Sequence, residues 1–209
     1  MYKNYIKRLI DIILSGIGII VLTPVWLILA IAIKVDDPGP IFFRQKRIAR
    51  DKNGEIQFFQ IYKYRSMKMC TPSDVPTHML ENPEQYITKV GGFLRKTSAD
   101  ELPQIFNIFK GEMSVIGPRP ALWNQTDLYE ERAKYGANDC VPGLTGWAQI
   151  NGRDELEIDV KAKLDGEYAQ KLSFLFDCRC FFGTIISVLR SDGVVEGGTG
   201  ELHKKEQMK

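Results

Sequence analysis

Apolar residues are not spread evenly along this chain. Positions 12–33 form a run of 22 residues without a formal charge. As a straight helix the run would measure about 33 Å, enough to cross a bilayer hydrocarbon core. It is apolar on every face, which does not suit a surface helix of a water-soluble domain. No small-residue cleavage site follows it, which argues against a removed signal peptide. Thr23-Pro24 stands at its middle, where the proline frees the carbonyl near Ile20 and the threonine hydroxyl offers a repair. Cations flank both ends: Lys3, Lys7 and Arg8 before, and Lys34, Arg44, Lys46, Arg47 and Arg50 after. The positive-inside tendency therefore wants both ends on the cytoplasmic side. Two half-helices of about 16 Å each would satisfy it by entering and leaving as a re-entrant hairpin. A kinked spanning helix satisfies the apolar pattern equally well. On either reading the chain is expected to be membrane-bound.

After this run the pattern changes. Asp36-Asp37-Pro38-Gly39-Pro40 is turn-forming, and residues 41–48 and 56–64 read as two strands joined through Asn53-Gly54, a strong hairpin signal. Residues 70–89 hold Pro72, Pro76 and Pro83 among polar residues and read as a loop with one short helical turn. Helices are expected over 121–135, 159–172 and 173–189. The last places Leu175, Phe176, Phe182, Ile185, Ile186 and Leu189 so that it could pack on the core or lie in a membrane interface. Residues 191–209, glycine-rich and then charged, read as a loose tail. The pattern predicts an α/β chain of the α+β type, mostly helical with a small β-hairpin. Its divisions are a membrane segment at 1–36, a cytosolic catalytic unit at 37–190 and the tail.

Composition narrows the chemistry. The 209 residues suffice for one domain with an accessory segment, and a net charge of +2 with 26% charged residues gives no case for nucleic acid. Between positions 44 and 68, eight Lys/Arg face two acids. Such a cluster holds a domain against anionic membrane lipids, at about 1 kcal/mol per cation near the surface. Lys63 and Arg65, at the end of the second strand, are also candidates for phosphate contacts. Cys70, Cys140, Cys178 and Cys180 form no spaced framework and read as reduced thiols. His78 and His203 lie in polar segments and read as solvated loop residues.

The richest stretch is 95–120, RKTSADELPQIFNIFKGEMSVIGPRP. It sets Asp100 and Glu101 between Arg95-Lys96 and the clamped Pro118-Arg119-Pro120. Ser98-Ala99-Asp100-Glu101 fits a helix capping box, in which the acids satisfy free N–H groups. Pro103 argues otherwise, because in that register it would fall inside the helix and disturb the turn. A helix opening at Pro103 leaves both carboxylates on its approach, exposed to a ligand that carries negative charge and a divalent cation. A second glycine-rich stretch, 142–153, contains Gly143, Thr145, Gln149 and Arg153, and allows close backbone approach to a ligand.

These blocks, in this order, resemble the small monotopic phosphoglycosyl transferases among the bacterial sugar transferases. The resemblance covers nearly the whole chain and rests on the broken apolar helix, residues 59–67, Asp100-Glu101-Leu102-Pro103-Gln104, Gly111-Glu112-Met113-Ser114, Gly117-Pro118-Arg119-Pro120, and 142–153. It implies transfer of a sugar 1-phosphate from a UDP-sugar to a polyprenyl phosphate, with release of UMP, as the first membrane step of glycan assembly. It further implies Asp100 as nucleophile in a covalent, ping-pong mechanism and Glu101 as a ligand of Mg²⁺. Arg95 and Arg119 would contact phosphate, and Gly143, Thr145, Gln149 and Arg153 would border the nucleotide. The family also favours re-entry at Thr23-Pro24 from the cytoplasmic face of the inner membrane, although a Ser-Pro pair commonly makes that break. Asp165 and Tyr168 match a late family pattern, either as functional residues or as helix anchors. A membrane-bound hydrolase using the same metal site, and a non-catalytic scaffold, are the alternatives. The sugar, the glycan and any homo-oligomer are not legible.

Overall fold

The computed structural model describes residues 1–49, 55–71, 82–152 and 156–190, without the side chains of 188–190. The turn at Asn53-Gly54, His78, Arg153, His203 and the tail from 191 onward lie outside the described residues. So do residues 72–81 of the loop between the hairpin and the acidic site.

The chain opens with a π-helical turn, Tyr2–Ile6, that runs into helix α1 (Lys7–Val21). Helix α1 is built inside out. Its buried residues are Lys7, Asp11 and Ser15, one stripe at four-residue spacing, whereas Leu9, Ile13, Ile17 and Ile20 are exposed. Lys7 and Asp11 of the stripe reach other elements, while Ser15 donates back to the Asp11 carbonyl of its own helix. Lys7 Nζ meets Asp177 at 2.7 Å, and Asp11 Oδ1 accepts from Ser114 Oγ at 3.0 Å and from the Val115 N–H at 2.9 Å. Arg8 donates to the carbonyls of Ile108 and Phe109, at 2.6 and 2.7 Å.

Helix α2 (Thr23–Asp36) follows after Leu22, and Pro24 lies in its first turn, where a missing N–H costs nothing. The two helices meet at a bend of 61°, and the Thr23 hydroxyl donates to the Ile19 carbonyl at 2.9 Å. The repair thus falls on Ile19 rather than on Ile20, because that is the carbonyl one turn behind Thr23. Among the described residues no single helix is long and apolar enough to cross a membrane; this bent pair passes that test only together. The far end of α2 joins the core, where Ile33 packs with Tyr64 and Leu94, and Trp26 meets Phe106 edge-on at 4.4 Å.

Strands β1 (Phe42–Ile48) and β2 (Phe58–Tyr64) pair antiparallel, from Phe42 opposite Tyr64 to Ile48 opposite Phe58, as the alternating pattern predicts. A short 3₁₀ turn, Pro83–Tyr86, is the one helical turn expected in the loop. Helix α3 (Lys89–Lys96) is capped by the Thr88 side chain, and Asp36 at the end of α2 accepts from its Val90 N–H at 2.8 Å. Gly91 of α3 lies so close to Ser66 that an added Cβ would stand 1.9 Å from the Ser66 carbonyl oxygen.

A 3₁₀ turn, Ala99–Glu101, then leads to helix α4 (Gln104–Lys110). Ser98 is left-handed (φ 56°) and its side chain makes no capping bond, so the capping-box reading fails. Pro103 stands immediately before α4 and both acids lie upstream of it, as the proline argument required. Their side chains are largely buried rather than exposed, however, because the cations of β2 and of the segment at Arg119 close over them. Asn107, fully buried on α4, ties the hairpin down. It accepts from the Tyr62 N–H at 3.0 Å and donates to Gln60 O and Glu112 Oε2, each at 2.7 Å.

Strand β3 (Ser114–Ile116) pairs in parallel with β4 (Gly143–Thr145), a second two-stranded sheet absent from the expected pattern. Strands of three residues carry too little alternation to be read. Helix α5 (Thr126–Ala133) is shorter than the 121–135 expected, because the residues before it join the hairpin edge. The Ile48 N–H donates to Ala121 O at 2.9 Å, and Arg47 bridges Leu122. The stretch 142–153 is no open loop either, since it forms β4 and helix α6 (Trp147–Ile150). Helices α7 (Ile158–Lys171) and α8 (Phe174–Arg190) fall where expected. None of the four cysteines is in a disulfide. Among the described residues the architecture is α+β, mostly helical, with two small sheets.

Replacing Asn107 with alanine takes away the partner of the part-buried Gln60 carbonyl and Tyr62 N–H, at a cost of about 1 kcal/mol. Thermal unfolding followed by circular dichroism in detergent should show a lowered Tm; an unchanged Tm would contradict this account of the hairpin anchor.

Candidate active site

The short turn before α4 and the end of β2 bring opposite charges together. Lys63 is the penultimate residue of β2, and its Nζ lies 2.8 Å from Glu101 Oε1 and 3.9 Å from Asp100 Oδ2. Arg119 approaches Glu101 with both arms of its guanidinium, Nη2 to Oε1 at 2.7 Å and Nη1 to Oε2 at 3.3 Å. Arg95, in the last turn of α3, donates through Nε to Ser66 Oγ at 2.9 Å, and its charge acts on Asp100. Lys63, Arg95, Asp100, Glu101 and Arg119 therefore form one cluster.

The two carboxyls titrate in opposite directions. Burial by itself would raise Glu101, but Arg119 and then Lys63 outweigh burial and hold it well below the usual glutamate range. Asp100 is raised. Burial is the largest cause, Lys63 pulls it down, the neighbouring Glu101 pushes it up, and Arg95 and Arg119 pull it down more weakly. The result is a Glu101 held toward its ionised form in the fork and a more basic Asp100 beside it.

Two carboxylates suit Mg²⁺ when phosphate oxygens complete its shell. Here Glu101 already faces Lys63 and Arg119, so the cluster favours a cation that arrives with a diphosphate to balance the added charge. On that condition Asp100 and Glu101 fit the ion. Among the described residues no group of three or more His, Cys, Asp or Glu side chains offers a metal site independent of such a ligand.

The Arg65 guanidinium is buried and turned to the end of α2, donating to the Asp37 carboxylate, the Asp37 carbonyl and, at 2.7 Å, the Pro40 carbonyl. That network leaves it tying α2 to β2 rather than facing the acids. Gly143 lacks a side chain for the sake of Gly117: a Cβ would stand 2.1 Å from the Gly117 nitrogen. Thr145 Oγ1 pairs with Thr184 Oγ1 at 2.8 Å and so joins β4 to α8. Gln149 buries both amide atoms without a hydrogen-bond partner.

Sequence reasoning missed the supports. Arg132 on α5 donates to Asp165 on α7 through Nε at 2.8 Å and Nη2 at 2.5 Å, and also to the Arg119 carbonyl at 3.0 Å. Tyr168 donates to Asp177 at 2.7 Å and approaches the Ile116 carbonyl at 3.1 Å. The late Asp165 and Tyr168 thus act as helix anchors in this structure. Asp11 was equally hidden, although a lone acid at the edge of an apolar helix, four residues from Lys7 and from Ser15, is a readable sign of a buried polar stripe.

The family profile described as "Bacterial sugar transferase" matches residues 2–191. The UDP-glucose:undecaprenyl-phosphate glucose-1-phosphate transferase of Escherichia coli K12 is 38% identical over 190 residues, which are 88% of this chain and 40% of that protein. The chain thus spans less than half of that relative. The exopolysaccharide production protein ExoY of Sinorhizobium fredii is 35% identical over 201 residues, 90% of this chain and 87% of its own. The exopolysaccharide production protein PSS of Rhizobium leguminosarum bv. phaseoli is 37% identical over 196 residues, 88% of this chain and 95% of its own.

If Gly143 serves packing, Gly143→Ala should lower stability by about 2–3 kcal/mol, because backbone cannot yield to the new methyl. A Tm equal to the parent's, with only donor affinity reduced, would return Gly143 to the ligand.

Proposed function

The chain belongs to the bacterial sugar transferase family, and on that premise we propose that it transfers a sugar 1-phosphate from a UDP-sugar to a polyprenyl phosphate. Transfer to undecaprenyl phosphate is named for the Escherichia coli relative, and exopolysaccharide production for the rhizobial ones. The observation that carries the reading is the split pair of carboxyls beside three cations.

In the first half-reaction an Asp100 carboxylate oxygen attacks the β-phosphorus of the donor. The new O–P bond forms as the bond from that phosphorus to the bridging oxygen breaks, and UMP leaves with the electron pair. In the second, a phosphate oxygen of the polyprenyl phosphate attacks the same phosphorus, and Asp100 is released as a carboxylate. A raised pKa makes Asp100 a stronger nucleophile, provided it is ionised. Arg119, Arg95 and Lys63 stand where charge on the diphosphate has to be neutralised before an anion can approach. Mg²⁺ would be held by Glu101 and would supply further neutralisation of the donor phosphates. Glu101 keeps Lys63 and Arg119 aligned.

The membrane reading supports the same reaction, because the acceptor is a lipid. We take α1 and α2 as the two arms of a re-entrant hairpin within a segment ending at 36, with the catalytic unit at 37–190 on the cytoplasmic face. The 61° bend and the outward-facing Ile13, Ile17, Ile20, Leu27, Ile28 and Ile31 support it. Phe174, Leu175, Phe182, Ile185 and Ile186 of α8 are exposed as well, which suits an interfacial helix.

Purified protein with Mg²⁺ and undecaprenyl phosphate, assayed against a panel of UDP-sugars, should release UMP for at least one donor, and Asp100→Asn should abolish release. UMP release that needs no lipid acceptor would instead indicate a hydrolase. Full turnover by Asp100→Asn would overturn the nucleophile assignment.

The acid side of the pH–rate profile should also report Asp100. A raised carboxyl loses its charge as pH falls through a value above that of an ordinary aspartate, so activity falls there. Lys63→Met removes a cation that pulls Asp100 down, and should shift the acid limb to higher pH. A limb that stays in place or moves lower would contradict the electrostatic account.

A further inference from the structure

Arg119 is delivered to Glu101 by a segment that cannot be held in the ordinary way. Residues 118 and 120 are prolines, so three consecutive positions offer one N–H between them. The segment is held by its carbonyls. Ile116 O lies 3.1 Å from the Tyr168 hydroxyl, Pro118 O accepts from the Gly143 N–H at 2.8 Å, and Ala121 O accepts from the Ile48 N–H at 2.9 Å. The two carbonyls in between are met by arginine side chains: Arg119 O by Arg132 Nη2 at 3.0 Å and Pro120 O by Arg47 Nη1 at 2.9 Å.

Arg132 is the more telling of the two. It is only 5% exposed, and Asp165, which fixes it, is 1% exposed. One nitrogen, Nη2, serves both the Asp165 carboxylate and the Arg119 carbonyl. A buried ion pair is an expensive way to join α5 to α7, because well-packed apolar residues of similar volume hold helices together as well or better. What apolar residues cannot do is donate to a carbonyl whose orientation fixes where the Arg119 side chain begins.

We propose that Arg132, fixed by Asp165, is a positioning residue for phosphoryl transfer: it holds the main-chain carbonyl of Arg119 and so aims that guanidinium at the donor diphosphate. Arg47 is the second strut of the same segment. The inference rests on the reading of Arg119 as a phosphate contact and goes beyond it by naming what sets its aim.

A double-mutant cycle separates positioning from mere support. The pair is replaced by apolar residues (Arg132→Met with Asp165→Leu) in the parent chain and in Arg119→Ala. The full chain in detergent is assayed for UMP release with undecaprenyl phosphate and the UDP-sugar it turns over, with Tm recorded for each variant. In the parent background, kcat/KM for the donor should fall on the order of ten- to a hundredfold, the scale of a misaligned reacting group. In the Arg119→Ala background the same replacement should cost almost nothing more. Equal losses in both backgrounds, or no loss in the parent, would overturn the proposal. If the apolar pair does not fold, Arg132→Lys enters the same cycle, since one ammonium cannot reproduce the fork. Full activity of Arg119→Ala alone would instead remove Arg119 from phosphate binding, a failure of the underlying reading that is seen before the cycle is closed.

Discussion

The contact on which the rest depends is the fork of Arg119 on Glu101, closed from the other side by Lys63. A carboxylate in so enclosed a place would ordinarily take up a proton. Two cations at hydrogen-bonding distance prevent that, and Glu101 stays ionised. The pKa of Asp100 rises because it is buried, with Lys63 pulling it down and the charge on Glu101 adding a smaller push upward. Burial on one side and the ion triad on the other thus give adjacent positions two carboxylates of different character. On the proposed reading this difference divides their work, with Asp100 attacking phosphorus and Glu101 organising the cations.

Each member of the triad reaches the site on a separate element. Lys63 comes at the end of β2, the acids on the turn before α4, and Arg119 on the proline-bounded segment after β3. The supports are polar and buried: Asn107 fixes β2 to α4, Asp11 fixes β3 to α1, and Arg132 with Asp165 fixes the Arg119 carbonyl. Helix α1 is therefore no detachable anchor. Its polar stripe grips the strand that leads to Arg119, while its apolar sides face outward. On the proposed reading, in which the acceptor is a lipid, the outward apolar faces and the grip on the strand leading to Arg119 belong to one helix.

Much of this was legible in the sequence where the signal is local. The hairpin, α7, α8 and the break at Thr23-Pro24 follow from periodicity and from proline and glycine chemistry. Pro103 alone decided between a capping box and a pair of free acids, and the left-handed Ser98 agrees with it. Tertiary partners were not legible. Asp37 as the partner of Arg65, Gly117 as the close neighbour of Gly143, and β1 as the partner of residues 121 and 122 could not be read from the chain. The parallel β3–β4 pair is too short to carry a pattern. In each case a contact between residues distant in sequence outweighed a local preference.

The most direct test of the central claim is to give the enzyme its UDP-sugar, labelled in the sugar, with Mg²⁺ and no lipid acceptor, then to quench, digest and map the label. The account predicts a phosphosugar on the peptide that contains Asp100, lost when undecaprenyl phosphate is added before the quench. Normal product formation with no label on that peptide would contradict it.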